Sequence, residues 1–306
     1  MKYLLVLACI AICCYWLIPS VKAADNQGIA VSPSIIRLDL NESSPTASLT
    51  YTNNTEQTIE LNFRKQNFDQ LDINGGEVNF LDPPNDQNYR YALASWINFD
   101  RQQISLSPNE SAALNFDIEA DKLSAGAHYA AIIADISQPD NKNSLNINGA
   151  LSSLIFVRSK SDKQQESATI NQVLRQPDDW QWPDKVITRL NNTGDVELIP
   201  SGLIEIKDSN GQLVAKGIIN EGSVIVLPQS IRQLDSPIKT FSKLLLPGYY
   251  DINLRLKYGK SEELINYSTR FWSLGTIKLN WLLSFAALLV SGFILAIYWW
   301  KTNRSD

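Results

Sequence analysis

Leu114-Asn115-Phe116-Asp117-Ile118-Glu119 alternates apolar and polar residues along its whole length. Successive side chains of a strand point to opposite faces, so this stretch puts Leu114, Phe116 and Ile118 on one face and predicts a half-buried β-strand. Outward from it, Ile59-Glu60-Leu61-Asn62-Phe63-Arg64 and Ile252-Asn253-Leu254-Arg255-Leu256-Lys257 repeat the pattern. Turn chemistry falls between such segments, at Asn53-Asn54-Thr55, Asn74-Gly75-Gly76, Ser107-Pro108-Asn109, Asn192-Thr193-Gly194, Ser209-Asn210-Gly211 and Pro247-Gly248. Short alternating strands punctuated in this way predict an all-β protein of immunoglobulin-like β-sandwich domains.

A polar run, Ser159-Lys160-Ser161-Asp162-Lys163-Gln164-Gln165-Glu166-Ser167, follows Leu154-Ile155-Phe156-Val157 and breaks the strand pattern. It predicts a domain boundary. The first sandwich is expected over 24–157, a linker over 158–167 and the second sandwich over 168–272, each of ordinary size for the fold.

The two ends have a different character. Met1-Lys2, an apolar run from Tyr3 to Ile18 and then Pro19-Ser20-Val21-Lys22-Ala23 match the three parts of a secretory signal over 1–23, with the mature chain beginning at Ala24. An uncleaved first membrane helix is the other reading, and both put the following residues outside the cell. At the far end, 281–300 contains no charged residue. About 20 helical residues at about 1.5 Å each span about 30 Å, the thickness of a hydrocarbon core. Trp281 stands at one end and Trp299 and Trp300 at the other, with Lys301 and Arg304 just beyond. These features predict a single-pass transmembrane helix in the cell membrane after a tether over 273–280, with the lipid bilayer as a partner and 301–306 in the cytoplasm.

Composition narrows the chemistry. The 3 cysteines, Cys9, Cys13 and Cys14, all lie in the signal segment, which argues against thiolate metal sites and cysteine nucleophiles in the mature chain. A net charge of −5 does not suit nucleic acid, whose binding rests on Lys and Arg neutralising phosphates. The chain has 1 histidine, His128, on a strand face with Ala130, Ile132 and Ala134, which predicts a structural role. No nucleophile elbow, phosphate loop or zinc-protease motif occurs, so no catalytic residue, cofactor or metal is expected. Asp69, Asp72, Asp82 and Asp86 sit in a turn-rich stretch without EF-hand spacing and read as a solvated loop. In Asp178-Asp179-Trp180-Gln181-Trp182-Pro183, two indoles beside two carboxylates form a candidate glycan platform; the competing reading places one or both indoles over the sandwich core.

Several short motifs, taken in order, resemble the WxL-interacting proteins of Gram-positive bacteria. They are Val31-Ser32-Pro33, Ser95-Trp96-Ile97, Leu106-Ser107-Pro108-Asn109-Glu110, Gly126-Ala127-His128-Tyr129, Asn192-Thr193-Gly194-Asp195-Val196, Leu227-Pro228, Gly248-Tyr249 and Tyr258-Gly259. The resemblance spans nearly the whole mature chain and departs at Glu197, where that family often has histidine. It implies a first domain associated with peptidoglycan or another cell-wall glycan and a second associated with surface or host proteins.

The leading expectation is therefore a non-enzymatic, membrane-anchored surface binding or scaffolding protein. An extracytoplasmic assembly chaperone that pairs strands with client surface proteins is the alternative, since two sandwiches and the Val31-Ser32-Pro33 start also resemble pilus chaperones. A carboxylate-based glycan hydrolase built on the loop acids is the third.

Overall fold

A computed structural model describes residues 28–41, 44–74, 77–82, 89–137, 149–159, 164–242, 244–259, 264–277 and the helical backbone of 279–302. The expected signal over 1–23, the chain start at Ala24, Asp86, Arg304 and the side chains of Trp281 and Lys301 lie outside the described residues.

The first domain contains strands β1 (Ile29–Ser32), β2 (Ile35–Asp39), β3 (Thr46–Asn53), β4 (Ile59–Gln70), β5 (Val78–Phe80), β6 (Ile97–Phe99), β7 (Gln103–Leu106), β8 (Ser111–Ile118), β9 (Ala127–Ser137) and β10 (Gly149–Arg158). They form two sheets, β1-β3-β8-β6 and β2-β10-β9-β4-β5, with β7 also paired to β4. The alternation in β8 is realised as expected, with Leu114, Phe116 and Ile118 buried and the intervening Asn115 and Asp117 exposed. Against them pack Leu49 and Tyr51 of β3, Leu61 and Phe63 of β4, and Ile132 of β9. Truncating one such fully buried leucine to alanine costs about 2–5 kcal/mol. The first passage of chain is split: β1 pairs antiparallel with β3, and after Ser32–Pro33 the chain crosses to the other sheet, where β2 runs parallel to β10.

The second domain contains β11 (Ala168–Gln176), β12 (Lys185–Asn192), β13 (Ser201–Asp208), β14 (Leu213–Ile219), β15 (Ser230–Thr240), β16 (Gly248–Lys257) and β17 (Leu264–Ser273). Their order is β11-β12-β15-β14-β13-β16-β17. β15 joins the halves, pairing with β12 through Ser230–Pro237 and with β14 through Ile238–Thr240. Residues from both halves, including Val186, Leu190, Ile204, Leu234, Ile252 and Leu254, share one core. The protein is thus all-β in its globular part, with two immunoglobulin-like domains.

A helix, α1 (Leu279–Thr302), closes the described chain. The expectation of a membrane anchor over 281–300, with a single-pass cell-membrane location, is corrected: among the described residues no helix is long and apolar enough to cross a membrane. A span needs about 20 consecutive predominantly apolar residues, and the longest unbroken run of described side chains in α1 covers 287–297. The apolar side chains described in α1, among them Leu288, Phe293, Leu295 and Trp299, are exposed.

Candidate functional site

The residues singled out for glycan binding diverge in space. Asp178 pairs with Arg175 at 3.2 Å, three residues away. Asp179 accepts from the Gln181 amide at 2.7 Å and from Gln181 Nε2 at 2.8 Å, and these bonds hold its carboxyl below the usual carboxylate range. Trp182 turns inward: its Nε1 donates to Thr240 Oγ1 at 2.8 Å, and its ring lies 5.0 Å from Tyr250 and 6.1 Å from Phe271. Trp180 stays outside at 66% exposure, edge-on to Trp272 at 6.5 Å. One indole therefore completes the core and the other stands on the surface.

The remaining polar candidates serve the fold. His128 is buried, with Nδ1 3.0 Å from the Ala92 carbonyl and Nε2 2.9 Å from the Ser124 carbonyl, so it ties two connections to β9. Asp69, Asp72 and Asp82 accept locally, from the Gln70 amide, the Asn74 amide and Gln66 Nε2 at 2.7, 2.7 and 3.0 Å. Among the described residues, no group of three or more His, Cys, Asp or Glu could hold a metal ion.

Where the two domains meet, the arrangement is denser. Every residue of Ala127–Ala134 in β9 is buried, because one face lines the first core and the other meets the second domain. On that second face Phe68, Tyr129, Ile133 and Phe156 pack with Val196 and Leu227. The Tyr89 and Tyr129 hydroxyls share a 2.8 Å hydrogen bond, and burial pushes both phenols up. Beside them Arg158, at the end of β10, donates through Nε to Glu197 Oε1 at 2.9 Å, through Nη2 to the Glu197 carbonyl at 2.8 Å and through Nη1 to Glu166 Oε1 at 2.8 Å. Burial pushes the Glu197 carboxyl up against the pull of Arg158. Gly126 belongs to the same junction: its φ is +113°, and a Cβ there would lie 3.0 Å from the Asp195 carbonyl. From the other side the β4–β5 connection reaches the second domain, where the Gln233 amide donates to the Ile73 carbonyl at 2.7 Å and Gln70 Nε2 to the Ile231 carbonyl at 2.7 Å.

The junction leads directly to an open strand edge. β10 pairs along its full length with β9, from Gly149 opposite Ile136 to Arg158 opposite Ala127. On its other side β2 begins only at Leu154, opposite Ile35. Among the described residues, no strand pairs with 149–153 on that side. The Leu154 amide donates to the Ser34 carbonyl and the Arg158 carbonyl accepts from the Leu40 amide, so even-numbered residues of β10 direct their peptide groups toward the β2 side. Strand geometry then points the amides and carbonyls of Ala150 and Ser152 out of the open edge. An unpaired edge of this kind is a template for a further strand. It was not among the expectations from sequence, since nothing in Gly149-Ala150-Leu151-Ser152-Ser153 encodes how many neighbours the strand has.

No family model matches this chain. No curated protein matches it either. Among solved structures, it is similar to the class 5 fimbriae chaperone CfaA, at 15% identity and a TM-score of 0.43, covering 82% of this chain and 100% of that one. It is also similar to a chain from a chaperone–tip adhesin complex of CFA/I fimbriae, at 14% identity and a TM-score of 0.43, covering 81% and 99%. A third is a chain of the Salmonella enterica SafA pilin–SafB chaperone complex, at 11% identity and a TM-score of 0.41, covering 81% and 99%.

The resemblance to WxL-interacting proteins is corrected: no family model and no curated protein supports it. With it fall the membrane-anchored scaffold, the peptidoglycan or cell-wall glycan partner and the surface or host protein partners. The physical reason lies in what the quoted motifs do. Ser107-Pro108-Asn109-Glu110 forms a turn in which Asn109 has φ of 62° and the Glu110 amide returns to the Ser107 carbonyl at 3.1 Å. Asn192, in Asn192-Thr193-Gly194, is buried and donates to the Val196 and Val226 carbonyls. Such residues close turns within a sandwich, and they carry no information about a ligand.

Proposed function

We infer that the protein is a non-enzymatic assembly chaperone that holds a client subunit by strand pairing along β10, the client being a pilin- or adhesin-like protein whose own sheet lacks a strand. The observation that carries this reading is the one-sided pairing of β10 over 149–153 among the described residues, next to a domain junction bonded through Arg158 and Glu197. Backbone pairing supplies affinity without regard to side chains, and the alternate pockets of the sandwich supply selectivity. Leu151 packs against the first core from this half of β10, so an added strand would extend an apolar face already present.

Amide hydrogen exchange tests the reading, with an alternating Val/Thr decapeptide as the probe strand. The Ala150 and Ser152 amides are expected to become protected on binding, while the Leu151 and Ser153 amides, directed toward β9, change little. Peptide that leaves Ala150 and Ser152 exchanging at the free rate sinks the reading.

A further inference from the structure

The open half of β10 ends at a pocket between the two domains. Its walls include Ile35, Phe68, Leu154, Phe156, Leu227 and Arg232, and its volume is about 170 Å³. An apolar cavity of about 150 Å³ holds benzene, so this space fits one aromatic ring. Ile35 and Leu154 are also the register partners at which β2 takes over the edge, so the pocket lies where an added strand must leave the sheet.

The wall chemistry selects among apolar groups. Phe68 and Phe156 stand edge-to-face at 5.7 Å. Arg232 is 2% exposed and donates through Nη1 to the Asp72 carbonyl at 3.4 Å. A guanidinium in a desolvated wall favours the face of an aromatic ring over an aliphatic side chain, because the ring's quadrupole complements its charge. The geometry points to this interdomain pocket as the seat of a single aromatic side chain, presented by the client at the point where its strand meets β2. The client as source of that ring rests on the strand-pairing reading; the aromatic specificity rests on the pocket alone.

Two measurements on the full chain separate these parts. Toluene is titrated while the methyl resonances of Ile35, Leu154 and Leu227 are followed, with saturable shifts expected at all three. Gly222 lines the pocket and a Cβ on it would meet nothing within 4 Å, so Gly222→Trp fills the space without displacing the backbone and is expected to abolish those shifts at an unchanged melting temperature. In the second measurement the Val/Thr decapeptide carries Phe, Leu or Ala at its last position, and Phe is expected to bind about tenfold more tightly than Ala, with Leu between them. Absent toluene shifts, or shifts that survive Gly222→Trp, overturn the pocket whatever the peptides do. Toluene binding with equal peptide affinities overturns the client as source of the ring. Toluene binding with no peptide binding sinks the strand-pairing reading and that source together.

Discussion

The two sandwiches differ in where their open edges fall. In the second domain the terminal strands of one continuous sheet, β11 and β17, come together, and the Arg175 guanidinium of β11 lies over the Phe271 ring of β17 at 4.6 Å. In the first domain the entering chain divides between the sheets as β1 and β2, and among the described residues β10 has one neighbour over 149–153. An exposed edge invites unwanted pairing, and most domains cover it. In the second domain each end strand keeps a single paired neighbour along its length, whereas β10 of the first passes from one neighbour to two at Leu154, part-way along the strand.

The largest way to break the comparison is to loosen the junction that holds the two domains. Arg158→Ala leaves the buried Glu197 carboxylate without its guanidinium and is expected to cost about 3–5 kcal/mol, measured by chemical denaturation. Glu197 also sets a pH dependence. Its folded-state pKa is raised, so the folded chain binds more protons than the unfolded one, and stability falls as pH rises from the ordinary carboxylate range through the raised value. Glu197→Gln should flatten that decline, and an unchanged slope would assign it to another group.

Next in size is a pair of adjacent prolines. Ser153→Pro removes an amide directed at β9 from a fully buried position and should cost about 1–3 kcal/mol. Ser152→Pro removes an amide on the open edge and should change stability by about 0.5 kcal/mol or less while abolishing binding of the Val/Thr decapeptide. Equal destabilisation by the two would show that the edge is not open. In the second domain, Arg175→Ala uncovers the Phe271 ring and is expected to cost about 1 kcal/mol in thermal unfolding. Trp182→Phe gives up the Thr240 hydrogen bond for a loss of about 1 kcal/mol, whereas Trp180→Phe on the surface stays within about 0.5 kcal/mol.

Much of the core is legible in the order of the residues. Leu114, Phe116 and Ile118, Leu61 and Phe63, and Ile252 and Leu254 all face inward as their alternation predicts. His128 reads as structural from its strand face, whereas its two carbonyl partners come from connections outside its own strand. The run Ala127-His128-Tyr129-Ala130-Ala131-Ile132-Ile133-Ala134 carries a further signal: nearly continuous apolarity marks a strand covered on both faces, and the second cover is the other domain. The candidate binding edge leaves no such trace, and the paired tryptophans leave an ambiguous one. Trp180 and Trp182 look alike in sequence, but only Trp182 finds Thr240, Tyr250 and Phe271 within reach.

The sequence by itself determined which side of each strand is apolar, because side-chain alternation is a local property of an extended chain. It also determined where many turns fall and that no familiar catalytic motif is present. Only the tertiary structure decided which strands are neighbours. Leu154 meets Ile35 from the far end of its domain, and the start of that pairing leaves 149–153 open. Backbone pairing uses groups that every residue except proline carries in full, so a missing neighbour leaves no mark in side-chain chemistry.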